Sequence, residues 1–364
     1  MTEKRRILLI GEYSGVHTNL AKALKKLGYH VDLTSNKDGF KQIGESTISF
    51  PFPPSKYKLL RILRKIIFLV KGCNNYYGYD IVQLIDHNVF GGLSIGYNYH
   101  IIKKIKNRSK KIYLSSCGSS YFYYKLKDEL NYHTLVEHIM YDQINENSFK
   151  GKYNRINNYK VADLVDGIIP STYSYRIAYK EFKNILPTIP FPFDLDSVDF
   201  KLQTFENEKI TIMHGLLREG FKGSRYIIPA MERLKQNYPD LVEIVIDGKM
   251  PLYEYKKILE KTNILVDQAL SYEYGMNALN AMAMGKVVLS GNEPISRNDI
   301  GRGDIPVINI LPNEDDIYNK LEKLILNKEQ IIKIGRESRK FVEEVHDSGL
   351  IAKRYLEAWG INHE

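Results

Sequence analysis

From Ile210 onward, short apolar runs and amphipathic helical stretches alternate without a break, and this alternation limits the chain to few architectures. Ile210 to Met213, Glu243 to Asp247, Ile264 to Asp267 and Val287 to Ser290 read as strands. Between them, Ser224 to Tyr238, Tyr253 to Lys261 and Asn277 to Met284 carry apolar residues at helical spacing. Strands joined by helices predict a parallel sheet covered on both faces.

The same alternation occupies the first half. Arg6 to Gly11 reads as a buried strand, His17 to Leu27 as a helix stopped at Gly28, and His30 to Thr34 as a second strand. Further strands are predicted at Ile81 to Ile85, Lys111 to Ser115 and Gly167 to Pro170, with a helical region from Ile139 to Asp163 among the connections. Leu186 to Phe193 places three prolines within six positions, which excludes a helix or a central strand there. At 364 residues the chain exceeds what one core organises. The expected layout is therefore a domain over 1-186, a linker over 187-200, a second domain over 201-340, and terminal helices over 341-364 that pack back on the first domain.

Composition bounds the function. Apolar residues make up 43% and charged residues 26%, an ordinary globular balance. A formal net charge of +9 favours anionic partners: phosphates, lipid surfaces or nucleic acid. No nucleic-acid-binding signature accompanies it, so nucleic acid is not an expected partner. Cys73 and Cys117 form neither a CxxC pair nor a metal cluster. The apolar run Ile7 to Ile10 is too short for a signal-peptide core, and no run spans a bilayer, so a cytoplasmic protein is expected.

Two runs carry the chemistry. His214-Gly-Leu-Leu-Arg218-Glu-Gly-Phe-Lys222-Gly223 follows a strand and precedes a helix, where loops of a doubly wound sheet meet ligands. Arg offers a forked donor, Lys a point charge and the helix start its backbone N–H groups, which together suit a diphosphate. The second run, Asp267 to Gly285, reads as strand, loop, helix and glycine stop.

These runs resemble the retaining glycosyltransferases of family 4. Lys222-Gly223 matches the family's element after the first strand of its nucleotide-sugar domain. Gly275, Leu279, Ala281-Met282-Ala283, Gly285 and Val288 match its Glu-Gly-Phe-Gly-x-x-x-x-Glu-Ala-Met-Ala-x-Gly-x-Pro-Val pattern. The resemblance implies a GT-B fold, α/β, with two Rossmann-like doubly wound domains facing each other across a cleft. It also implies transfer with retention from a nucleoside diphosphate sugar, a UDP-sugar first among donors, to a glycan or lipid-linked acceptor. The setting implied is bacterial surface-polysaccharide or glycoconjugate synthesis, with no resident cofactor and no metal.

By the same resemblance Arg218 and Lys222 stabilise the departing diphosphate and Glu273 approaches the donor sugar. His214, Gly215, Gly223, Asp247 and Asp267 line the donor site from the strand ends, and Tyr274, Gly275, Met276, Asn277 and Asn280 from the helix start. The family's two motif glutamates are absent: Asn280 stands at the later position and Tyr272 at the earlier, with Glu273 one residue off. A catalytically silent binding homologue is therefore an alternative. A dinucleotide-dependent oxidoreductase is a weaker one, because Gly11-Glu-Tyr-Ser-Gly15 lacks the GxGxxG turn.

In the first half, Gly15 and His17 stand where family members carry a glycine loop with a histidine. Gly118-Ser119-Ser120 resembles the family's His-Gly-Ser element with Cys117 in place of the His. With Asp86 and His87 at a strand end, Gly15, His17 and Ser119 are the acceptor-side candidates. Asp194-Leu-Asp196 spells a metal-binding Asp-x-Asp but falls in the linker and is not assigned a metal. Lys56 to Lys71 holds six basic residues, no acid and an interleaved apolar set, the pattern of a helix that lies on anionic lipid. An anionic membrane surface, at its inner face, is accordingly a further candidate partner.

Overall fold

The computed structural model describes residues 5–36, 44, 46–50, 57–91, 96–203, 205, 209–216, 218–248, 250 and 252–361. Lys56 and Leu217 lie outside that set, as do the side chains of Lys58 and Lys71. The chain divides into two compact units: Met1–Tyr124, Glu146–Phe193 and Ser348–Glu364 form one, and Lys125–Asn145 with Asp194–Asp347 the other.

The first unit contains β1 (Arg6–Ile10), β2 (His30–Thr34), β3 (Ile81–Leu84), β4 (Lys111–Ser116) and β5 (Gly167–Pro170), all parallel, in the order β2-β1-β3-β4-β5. Side chains alternate across a strand. Leu8 and Ile10 therefore enter one core with Phe68, Ile101 and Val161, while Ile7 and Leu9 enter another with Leu20, Ile351 and Trp359. The helix Ser348–Ala358 thus completes the core of the first unit although it is the last helix of the chain. Trp359 is fully buried, and its indole N–H donates to Gln83 Oε1 at 3.0 Å, while Gln83 Nε2 donates to Ser115 Oγ at 2.8 Å. The proline-rich stretch packs here as well: Ile189, Phe191 and Phe193 are buried, and Ile189 N–H bonds Pro170 O.

The second unit repeats the topology with β6 (Ile210–His214), β7 (Val242–Ile246), β8 (Ile264–Val266), β9 (Val287–Ser290) and β10 (Val307–Asn309), in the order β10-β9-β8-β6-β7. The direction of winding therefore reverses between β1 and β3 in one sheet and between β6 and β8 in the other. Ligands of open parallel sheets bind beyond the strand ends at such a reversal.

The helical region read from Ile139 to Asp163 is not one helix. It comprises Thr134–Met140, Asn147–Lys150 and Lys152–Leu164. Asp142 takes a left-handed φ of 52° after the first, and Gly151, extended at ψ 143°, separates the other two. The break matters because 125–145 belongs to the second unit while the flanking chain belongs to the first.

Candidate nucleotide-sugar site

Four loops meet the two reversal points, two per unit. In the second unit they follow β6 and β8, and a hydrogen bond from Ala269 N–H to Lys222 O, 2.8 Å, stitches them together.

Buried His214 ends β6. Its Nδ1 lies 2.8 Å from Val266 O and its Nε2 2.8 Å from Ser224 Oγ. A neutral ring donating to the carbonyl and accepting from the hydroxyl satisfies both contacts. Burial, helped by the nearby Lys222 charge, pushes its pKa down to about 4, so the ring stays neutral. His214 is thus a brace between the two strand ends and the following helix.

After it, Gly215 packs tightly: a Cβ there would lie 3.2 Å from Tyr255 Oη and 3.6 Å from Lys222 Nζ. Glu219–Lys222 then forms a single helical turn closed by Gly223, whose φ of +76° and Cβ direction toward Leu270, 3.0 Å, both favour glycine. The two cations of the turn differ in setting. Lys222 is buried, its ammonium 2.9 Å from Asp267 Oδ1. Arg218 is exposed, its guanidinium 4.0 Å above the Phe221 ring.

Asp267 follows the end of β8, buried, and also accepts from Asn277 Nδ2 at 2.8 Å. Burial alone would raise its pKa, but the Lys222 ammonium and the Asn277 amide outweigh it, so the carboxyl is held below its ordinary value. Lys222, Asp267 and Asn277, three sequence-predicted residues from two loops and a helix, are therefore one cluster. An ammonium has three donors, so the contact to Asp267 leaves two for a ligand.

The helix Met276–Ala283 begins beside this cluster. Its N-cap, Gly275, has an extended backbone and no side-chain cap, and a Cβ built on it meets nothing within 4 Å. Space thus opens at a helix N-terminus, where N–H groups and dipole attract anions.

The remaining predicted residues are committed elsewhere. Tyr274 is buried with its hydroxyl 2.9 Å from His346 Nε2 and its ring edge-on to Phe341, a packing arrangement. Met276 is buried on the same helix. Glu273 is buried and its Oε2 accepts from Ser296 Oγ at 3.3 Å. Asn280, half-buried, donates back to Met276 O at 2.9 Å, which leaves its Oδ1 to accept. Asp247 is exposed and accepts from its neighbour Gly248 N–H at 2.6 Å.

Sequence reading missed the contribution of 125–145. Gly220 sits so close to the helix Thr134–Met140 that a Cβ would lie 2.9 Å from Glu137 O, and its N–H donates to Gln143 Oε1 at 3.1 Å. Arg225 pairs with Glu137 at 2.8 Å. Nearby, Tyr272 accepts from Asn131 N–H at 3.1 Å and its ring lies 4.8 Å from that of Tyr132, whose hydroxyl donates to Glu293 at 2.6 Å. Tyr272, which stands where the resemblance led us to expect a glutamate, therefore makes an aromatic contact, and Tyr132 links it to the carboxylate of Glu293.

In the first unit the loops after β1, β3 and β4 converge. Tyr13 Oη donates to Asp86 Oδ2 at 2.9 Å, and a Cβ on Gly118 would lie 2.9 Å from the Tyr13 ring and 3.4 Å from Asp86 Oδ2. Asp86 Oδ1 also meets His87 Nδ1 at 2.8 Å and Asn88 N–H at 2.7 Å. His87 Nε2 lies 3.3 Å from Asn154 Oδ1, so the pair is buried and bonded at both ends. Gly15, at φ 93°, starts the helix Val16–Lys26. The cap comes from Glu12, which the sequence reading passed over: it accepts from the N–H groups of Gly15 and Thr18 and from Thr18 Oγ1. His17 is fully buried with Nδ1 2.8 Å from Gly11 O, and its Nε2 has no hydrogen-bond partner among the described residues. Burial pushes its pKa down to about 4. Ser119 is half-buried beside Gly118.

No protein-family model and no curated protein sequence matches the chain. Solved structures do. Sucrose-phosphate synthase from Thermosynechococcus elongatus superposes with a TM-score of 0.66 at 14% identity, covering 98% of each chain. HepE of Anabaena, in complex with UDP-glucose, gives 0.64 at 12%, covering 98% of this chain and 99% of that one. UDP-GlcNAc 2-epimerase from Neisseria meningitidis, bound to UDP-GlcNAc, gives 0.57 at 11%, covering 97% and 98%. At such identities the likeness speaks for architecture alone: with its two five-stranded parallel sheets wound in the same order, the chain has the GT-B fold.

Proposed function

We propose that the chain is a glycosyltransferase that takes a sugar from a nucleoside diphosphate sugar, a UDP-sugar first, and passes it with retention to a glycan or lipid-linked acceptor. The observation that carries this reading is the junction of the Lys222–Asp267–Asn277 cluster with the open helix start at Gly275, at the winding reversal of the second unit. A diphosphate matches that chemistry: Lys222 and Arg218 supply charge, and the first N–H groups of Met276–Ala283 supply donors. Such preorganised donors stabilise a leaving diphosphate where its charge develops. The UDP-sugar complexes of HepE and the epimerase, on the same fold, support the donor class.

In this reading Lys222 holds the diphosphate from the buried side while Asp267 fixes its ammonium. Arg218, exposed on the same turn, reaches the ligand from the solvent side. Asn280 Oδ1 accepts from a ribose hydroxyl. The acceptor belongs to the first unit's loops, where Tyr13, Asp86 and Gly118 hold the backbone near Ser119. The reaction uses no metal and runs on the cytoplasmic side, in surface-glycan synthesis.

A second reading has its own observation: Tyr272 and Asn280 replace the glutamates that the resemblance led us to expect, and Tyr272 is tied to Asn131 and Tyr132. A silent homologue binds the donor and does not turn it over. The deciding experiment measures UDP release and analyses products when the purified chain is given UDP-glucose or UDP-GlcNAc with lipid-linked acceptors. Transfer, slowed about a hundredfold or more by Arg218→Ala, supports the enzyme. Binding without release supports the silent homologue, and free 2-epimerised donor supports epimerase chemistry.

A further inference from the structure

A helix at a protein surface ordinarily turns its apolar stripe inward. The helix Lys58–Lys71 carries, besides its inward residues, a second apolar stripe that faces outward. Leu59, Leu63, Ile66 and Val70 recur at the spacing of one helical face, and all four are exposed, Leu59 to 81% and Val70 to 67%. Ile67, beside the stripe, is exposed too.

The opposite face fixes the helix to the first unit. Phe68 is buried, its ring 5.5 Å from Tyr76 and 5.6 Å from Phe90. Tyr97 Oη donates to Lys65 O at 2.9 Å and Lys104 Nζ to Leu69 O at 2.6 Å. The outward stripe is therefore held in place by packing on the other side and is not a loosely attached segment.

Charge selects the occupant. The helix carries Lys58, Arg61, Arg64, Lys65 and Lys71 and no acidic residue. Next to it, Lys103 and Lys104 are exposed on the helix Tyr97–Lys106. Pairing of two copies through this stripe would bring two such acid-free helices together and set like charges against each other. An anionic bilayer offers acyl chains to the stripe and phosphates to the flanking cations.

We propose that the exposed face of Lys58–Lys71 is a docking surface for anionic membrane lipid, with Leu59, Leu63, Ile66 and Val70 in the acyl boundary and Arg61 among the headgroups. The inference rests on this helix and the adjoining Lys103 and Lys104 and does not depend on the donor reading. None of the helices among the described residues is long and apolar enough to cross a membrane, so the contact is one of lying on the surface.

The test is flotation of the full chain with vesicles of phosphatidylcholine alone and of phosphatidylcholine with phosphatidylglycerol, at low and high salt. The wild type should float with the anionic vesicles only, and less at high salt. Leu63→Ser with Ile66→Ser, both at exposed positions, should weaken that binding about tenfold or more with an unchanged melting temperature. Arg61→Glu, a change of two charges, should weaken it by about tenfold as well. Failure of the wild type to float overturns the proposal. So does undiminished floating of the Leu63/Ile66 variant, which would put binding elsewhere on the basic surface. A concentration-dependent dimer abolished by the same variant, without lipid binding, would assign the face to a second copy.

Discussion

Lys222 and Asp267 lie 45 residues apart in sequence and 2.9 Å apart in space, and that contact governs how each cation of the β6 loop responds to substitution. Removing Lys222 leaves a buried carboxylate with the Asn277 amide as its remaining side-chain hydrogen-bond partner among the described residues, so Lys222→Ala should cost about 3 to 5 kcal/mol in urea denaturation. Pairing it with Asp267→Asn should recover most of the loss. Arg218→Ala, at an exposed position, should change stability by less than about 0.5 kcal/mol. Gly220→Ala drives a methyl group toward the Glu137 backbone and should cost about 1 to 3 kcal/mol, read from the same curves. Residue types were legible in the sequence because a cation, a glycine and a strand end stand together in one run. Their partners were not: Asp267 and Asn277 are distant in sequence, and Tyr132 reaches Glu293 across 161 residues. No local pattern encodes such pairs.

Among the elements, the strands could be read most directly, since each is a short apolar run fed by a helix of clear periodicity. Two kinds of element resisted. The strand Val307–Asn309 is short, and only pairing with β9 distinguishes it from a loop. The region from Ile139 to Asp163 looked continuous, but the helix Thr134–Met140 and Gln143 pack on Gly220 of the β6 loop, and tertiary packing overrides local helical preference there. The terminal helix shows the same effect at long range. Its sequence announces amphipathicity, whereas its seat on the first sheet depends on Trp359 meeting Gln83. Trp359→Ala should therefore destabilise the first unit by about 3 to 5 kcal/mol, detectable as increased proteolysis of that unit.

For the whole molecule, the doubled topology was visible in the repeated strand–helix alternation, while the register and the shared strand order emerge only from the fold. Burial of histidines sets the response to pH. His17, His133 and His214 are each pushed down to about 4 by burial. Between an ordinary histidine value of about 6.5 and that value, the unfolded chain binds protons that the folded chain does not. Acidification through this window should therefore cost on the order of 1.4 kcal/mol per pH unit for each of the three. Asp86 and Asp267, held below their ordinary values, contribute stability above about pH 4 that is lost as pH falls through their folded values. Melting temperatures should fall most steeply from pH 6.5 to 4 and, with the histidine contribution spent, more gently below as Asp86 and Asp267 protonate. The central claim, a diphosphate site built by the β6 and β8 loops, is tested most directly by calorimetric titration of UDP, GDP and dTDP into the wild type and Arg218→Ala. Saturable binding of one of them, at least about tenfold weaker in the variant at unchanged melting temperature, is the predicted result. No binding of any of the three, or equal affinity in wild type and variant, would contradict it.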